Sequence, residues 1–233
     1  MFSLGRMLVL GFALILLGGC AFGRGELNLD ENSTDYQKNT VGQKIVIDSV
    51  NDQRNFILDA SDPKVPSVNG DYIDSRESLI ARKGNAVDKT LGDIVLANGQ
   101  TVNGIVESVV KKSLNDAGFV VIANPLMADE NTAHATVNIK NFWGWTDSDI
   151  LVARINTNVN VDVVITAGDY STTISSETKS TNKGMAAATR HWLNAFKINL
   201  DRMNQELKKK FSEAKNDIEF NLKLKSEADT LIQ

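Results

Sequence analysis

One cysteine, two histidines and three prolines occur in 233 residues, and each scarcity removes a class of protein. A lone thiol cannot close an internal disulfide, so the fold must be held by its core. Cys20, His134 and His191 are the only cysteine and histidine side chains, which excludes the usual Cys/His zinc or copper site. No Gly-x-Ser-x-Gly elbow, glycine-rich phosphate loop or His-Glu-x-x-His motif occurs, and no metal or cofactor is read from the chain. Positive charge is also short: the formal net charge is −4 and its charges are dispersed. That balance argues against a nucleic-acid partner and against binding anionic lipid by charge alone. The longest apolar run, Met7–Leu17 with Gly11 inside it, falls short of the ~20 residues of a membrane-spanning helix. Ordinary core material is present at 42% of the chain, close to the globular norm.

That apolar run follows Arg6 and gives way to Leu17-Gly18-Gly19-Cys20. A cation, a short apolar core and small residues before a cut describe a secretory signal over residues 1–19. Leu17-Gly18-Gly19-Cys20 resembles the bacterial lipoprotein box, with Gly a less usual middle residue. The resemblance implies cleavage before Cys20, lipidation of its thiol and acylation of the new amino terminus. Membrane contact would then come from acyl chains, more than one of which is needed for stable anchoring. Ala21 is not the Asp that retains lipoproteins in the inner membrane of enteric bacteria. By that analogy the expected location is the periplasmic face of the outer membrane.

Residues 20–42 are polar and show no period, and read as the lipidated Cys20 and a flexible tether. A single domain is expected over 43–200. Its first strand is the β-branched run Lys44–Val50. Residues 55–100 are broken by Pro63, Pro66 and several glycines and offer only brief pairing at Tyr72-Ile73 and Asp93–Leu96, a length of chain without clear structure that is often functional or partly disordered. Val102, Ile105, Val106, Val109, Val110 and Leu114 predict a helix from Thr101 to Gly118. Strands are predicted at Phe119–Ile122, Ala135–Lys140, Leu151–Ile165 and Tyr170–Lys179, the last two joined at Ala167-Gly168-Asp169. From Gly184 to about Asp229 the apolar residues again recur at helical spacing. A continuous helix there would be about 67 Å long, so a break near 199–204 or 212–216, or a projecting second half, is expected. Residues 201–233 form a charged helical extension whose narrow apolar stripe suits a partner helix; the alternative is a helix folded back on its own domain.

Four local constellations stand out. Phe142-Trp143-Gly144-Trp145 either exposes Trp143 and Trp145 for stacking on glycan rings or a partner, or caps the core. Arg82-Lys83-Gly84-Asn85 reads as a basic turn that can meet a phosphate or carboxylate, or as a solvated loop. Asp147 and Asp149 flank Ser148 as ordinary turn formers, and two carboxylates alone do not make a calcium loop. Asp52 and Arg54, at a strand end, suit pairing with each other better than chemistry. On the charged helix, Lys209 marks the candidate interaction face.

The lipoprotein box, the strand ending in Asp52-Gln53-Arg54, the helix running into Gly118-Phe119-Val120, and Val137–Phe142 together resemble the YajG-type bacterial lipoprotein family. The resemblance covers roughly residues 1–54 and 100–200. It implies a periplasm-facing α/β lipoprotein with no established enzymatic activity, and it carries over no functional residue beyond Cys20. The expected fold is an α/β (α+β) two-layer sandwich, with a mixed or antiparallel sheet of about five strands, two packed helices and the long charged helix. The expected function is non-catalytic: an outer-membrane-anchored accessory protein contacting an envelope protein. The alternative is a module binding a small ligand or a glycan of peptidoglycan or lipopolysaccharide. A hydrolase finds no nucleophile–base pair or paired carboxylates to work with.

Overall fold

The computed structural model describes residues 23–29, 38–68, 76–84, 90–97, 99–148, 153–184 and 188–232. In chain order its strands are β1 (Gly25–Leu27), β2 (Lys44–Asp52), β3 (Ile57–Leu58), β4 (Ser67–Val68), β5 (Leu79–Gly84), β6 (Thr90–Leu96), β7 (Val120–Ile122), β8 (Ala133–Ser148), β9 (Ala153–Ala167) and β10 (Tyr170–Gly184). Helix α1 is Val102–Asp116 and helix α2 is Thr189–Ile232.

Strand β8 organises the sheet. Along one edge it pairs antiparallel with β9, which pairs in turn with β10. Its other edge is divided: the first half pairs parallel with β2, and the second half, at Gly144 and Trp145, pairs parallel with β5. Strand β6 continues from β5, β1 pairs parallel with β6, and β7 pairs parallel with β2. These eight strands form one mixed sheet, and β3 and β4 make a separate pair.

A bulge in β8 decides which side chains meet the helices. The register against β9 slips between Ile139 and Asn141, and one extra residue exchanges the two faces of a strand. Before the slip, Ala133, Ala135, Val137 and Ile139 enter the main core. After it, Phe142 takes that side and stacks on Phe196 of α2 at 5.3 Å, while Trp143 enters a second, smaller core. Strand β9 alternates as its sequence implies, with Ile155, Val159, Val161, Val163 and Ile165 buried.

Both helices pack into the main core. Thr101 caps α1 by accepting from the Gly104 amide at 3.1 Å, and Gly118, at φ +88°, lets the chain turn away after it. Helix α2 is continuous. At about 1.5 Å per residue it is about 66 Å long, and the fifteen-residue strands β9 and β10 extend for about 50 Å alongside it. The two lengths match closely enough to keep the helix covered. Its stripe from Trp192 and Phe196 through Met203, Leu207 and Phe211 to Ile218 and Leu222 is buried, and Lys225 reaches the β9–β10 turn at Gly168.

Two expectations are corrected here, and for the C-terminal helix the alternative of folding back on its own domain holds. The sheet of about five strands in a two-layer sandwich is replaced, among the described residues, by ten strands, eight of them in one large mixed sheet. The additional strands come from residues 25–27 and 57–96, which look unstructured because each strand is short and several carry charge. The stretch read as a tether holds β1, with Leu27 and Leu29 buried, although Cys20 and residues 30–37 lie outside the described residues. The charged extension after residue 200 neither breaks nor projects as a separate unit, because Met203 to Leu222 belong to the same core.

Candidate functional site

The division of β8 between β2 and β5 creates a local problem. Where β2 ends and β5 begins, backbone carbonyls face inward without a neighbouring strand, and buried carbonyls need donors. Arg54 fills the fork. Its Nη1 donates to the carbonyls of Leu79 at 2.7 Å and Phe142 at 3.3 Å, and its Nη2 donates to that of Arg76 at 2.7 Å. Asp52 holds the guanidinium through both carboxylate oxygens, at 2.9 Å from Nε and 2.7 Å from Nη2. The side chain of Arg54 is 1% exposed, and its planar group lies 4.9 Å from the centre of the Phe56 ring. Only an arginine offers this many fixed donors from one side chain.

A second buried arginine lies on β5. Arg82 pairs with Asp93 at 3.1 Å, donates to Ser67 Oγ at 2.6 Å and reaches the carbonyl of Ala60 at 3.2 Å. Trp143 donates from its indole nitrogen to the carbonyl of Pro63 at 2.9 Å and meets Phe56 edge to face at 6.0 Å. Together these contacts hold the segment from Phe56 to Val68 over the small core of Val68, Leu79, Val95 and Trp143. The arginines and the tryptophan carry the cover of this end of the sheet.

The register therefore brings together residues that lie far apart in sequence: Arg82 is directly opposite Trp145 on β8. Their expected settings change. Trp143 is 0% exposed, within a strand and not in a turn, so it cannot stack on an external ring. Arg82 and Lys83 are strand residues, 1% and 5% exposed, because β6 and β8 flank β5 on both sides. Burial pushes the Lys83 ammonium below the ordinary lysine value, and the charge of Asp93 opposes that shift. Asp52 and Arg54 do pair, but the pair also completes a backbone, which strand-end composition alone does not show. Asn85 and Asp149 lie outside the described residues.

Trp145 remains half-buried and accessible in part. Its indole nitrogen, Asn141 Oδ1 and Asn158 Oδ1 are buried without hydrogen-bond partners among the described residues. Asn156 lies opposite Trp145, and Asn158 opposite Trp143. Trp145, Asn141 and Asn158 are the part of this strip with unused hydrogen-bonding capacity, whereas Asn156 donates to Asp147 and accepts from Thr181. Sequence reasoning found its tryptophan and passed over the asparagines, whose only signal was their alternation along β9.

Lys209 belongs to a different place. Its side chain is 78% exposed on the outer face of α2, 3.9 Å from Glu213. On that outer side Phe220 and Leu224, one turn apart, are 61% and 47% exposed. Among the described residues no group of three or more His, Cys, Asp or Glu side chains could hold a metal ion, and no helix is long and apolar enough to cross a membrane.

No family model and no curated protein matches the chain. Among solved structures it is similar to the crystal structure of an uncharacterized protein, at TM-score 0.43 and 8% identity, over 84% of this chain and 99% of the other. It is also similar to protein XCC0632 from Xanthomonas campestris, of the family DUF330, at TM-score 0.39 and 8% identity, over 88% and 98% of the two chains. A third likeness is to the hypothetical protein CT253 from Chlamydia trachomatis, at TM-score 0.28 and 11% identity, over 72% and 98%. The structural neighbours are uncharacterised proteins, one of them from DUF330, and at TM-scores this low the likeness assigns no function.

Proposed function

We propose that the protein is a non-catalytic lipoprotein, anchored through acyl chains on Cys20 to the periplasmic face of the outer membrane, where it serves as an accessory partner of another envelope protein. The observation that carries this reading is the order Arg6, Met7–Leu17, Gly18-Gly19-Cys20, with the only cysteine of the chain at the cleavage point. The YajG-type resemblance belongs to the same reading. The condition of the buried arginines is compatible with it, since Arg54 and Arg82 are taken up by carbonyls, hydroxyls and carboxylates of the fold. The contact surface is the outer stripe of α2 with Lys209, Glu213, Phe220, Leu224 and Glu227, all exposed. Cys20→Ser should move the protein from the membrane to the soluble fraction; sedimentation unchanged by that substitution refutes the anchor. A photoreactive residue at Lys209 should give a discrete crosslinked band, and silence there removes α2 as the contact surface.

The strip of Trp145, Asn141, Asn156 and Asn158 supports a second reading, a module for a small ligand or glycan. Indole and amide groups together suit stacking on a sugar ring and bonding its hydroxyls. Titration with muropeptides or lipopolysaccharide fragments should shift tryptophan emission in the native protein and not in Trp145→Phe. A flat titration of the native protein ends this reading.

A further inference from the structure

The sheet begins almost at the anchor. Gly23 packs against β6 so closely that a Cβ on Gly92, itself at φ +140°, would fall on the Gly23 carbonyl. Two residues, Ala21 and Phe22, separate Cys20 from Gly23, and an extended chain spans at most ~3.6 Å per residue. The Cys20 Cα is therefore within about 11 Å of a glycine fixed on the sheet. On the reading that Cys20 is acylated, this leash is shorter than the domain it holds.

The register shows which end of the sheet is held. From Gly25 the paired residues run through Ile94, Ala81, Gly144 and Thr157 to Ser180. Gly23 lies beyond Gly25 on the side of Lys183 at the end of β10, next to the start of α2 with Arg190. Exposed basic residues Arg154, Lys183 and Arg190 lie at this rim, with the half-buried Asp147 among them. The β9–β10 turn at Gly168-Asp169 and the far part of α2, where Lys225 meets that turn, form the opposite end. The two ends are about 45 Å apart along β10.

We propose that the rim carrying Gly23, Lys183 and Arg190 rests on the lipid headgroups, and that α2 leads away from the bilayer and presents its C-terminal half farthest from it. The inference rests on acylation of Cys20. It commits to phospholipid as the surface met by this rim: the leash forces proximity, and the basic side chains suit anionic headgroups. Without the leash, a chain of net charge −4 has no reason to lie there.

The test uses the acylated full-length protein in vesicles of phosphatidylethanolamine and phosphatidylglycerol containing a headgroup nitroxide lipid. The native thiol is consumed by the thioether, so Arg190→Cys and Asp169→Cys each offer a unique site for a fluorophore. Emission at 190 should be quenched several-fold more than at 169. Equal quenching in protein that is recovered with the vesicles overturns the orientation and leaves the anchor standing. Failure to recover the acylated protein with the vesicles ends both. A Gly/Ser insertion of about twenty residues after Ala21 adds up to about 72 Å of reach when extended and should cut the quenching at 190 at least by half. Undiminished quenching there overturns the role of the leash.

Discussion

Arg54 and Phe142 are 88 residues apart, yet the guanidinium of one donates to the carbonyl of the other where the sheet divides. The same side chain serves the carbonyls of Leu79 and Arg76 and is held by Asp52. Removing it leaves buried acceptors with no donor. Arg54→Ala should lower stability by about 3–5 kcal/mol, measured by urea unfolding. Arg54→Lys should recover little of the loss, because an ammonium cannot reproduce the bidentate contact. A loss below 1 kcal/mol would mean that water supplies the fork.

Lys83 makes the stability pH-dependent in the alkaline range. Its folded value lies below its unfolded value because burial disfavours the charged form. Between those two values the unfolded chain binds more protons than the folded one, so stability increases as pH rises through the folded value toward that of free lysine. Lys83→Met should flatten this slope and be neutral or stabilising at pH 7. Parallel pH profiles for the two proteins would show that the Lys83 ammonium is well solvated.

The two faces of α2 should respond oppositely. Ile218 is 0% exposed and Phe220 is 61% exposed, only two residues apart. Ile218→Ala should cost about 2–5 kcal/mol through the cavity it leaves. Phe220→Ala should change stability by no more than about 0.5 kcal/mol. Equal, small effects would restore a projecting helix.

Gly92 should tolerate no side chain. Its positive φ and its contact with Gly23 both oppose a Cβ. Gly92→Ala should destabilise by about 1–3 kcal/mol and expose residues 24–29 to protease before the rest of the domain is cut. Cleavage kinetics followed by mass spectrometry would show this order or exclude it.

The legible parts of this chain were the long periodic ones. Helix α1, with its Thr101 cap, the alternation of β9 and the stripe of α2 each repeat a pattern over many residues. Short strands offer no such repetition: β5 reads Leu-Ile-Ala-Arg-Lys-Gly, and its charges look solvated until β6, β8 and Ser67 are placed around them. The β8 bulge was hidden for a related reason, since Asn141-Phe142-Trp143 gives no sign of which aromatic turns toward α2. Trp143 is thus a core residue of the smaller cluster, where the sequence pattern alone leaves exposure and burial both open. The length of α2 looks excessive against the short strands expected at 135–140 and 170–179, which extend to 16 and 15 residues in β8 and β10.

The pairing of β1 with β6 also has a temporal side. Gly25 aligns with Ile94, so in a chain delivered from its amino end β1 arrives first and finds its neighbour only after 69 further residues. Closing so large a loop carries an entropic penalty that falls early, before the contacts made by β1 can offset it. The first segment to emerge is consequently among the last to dock. Until then Gly23 to Leu29 lack the neighbours that bury Leu27 and Leu29 in the finished fold.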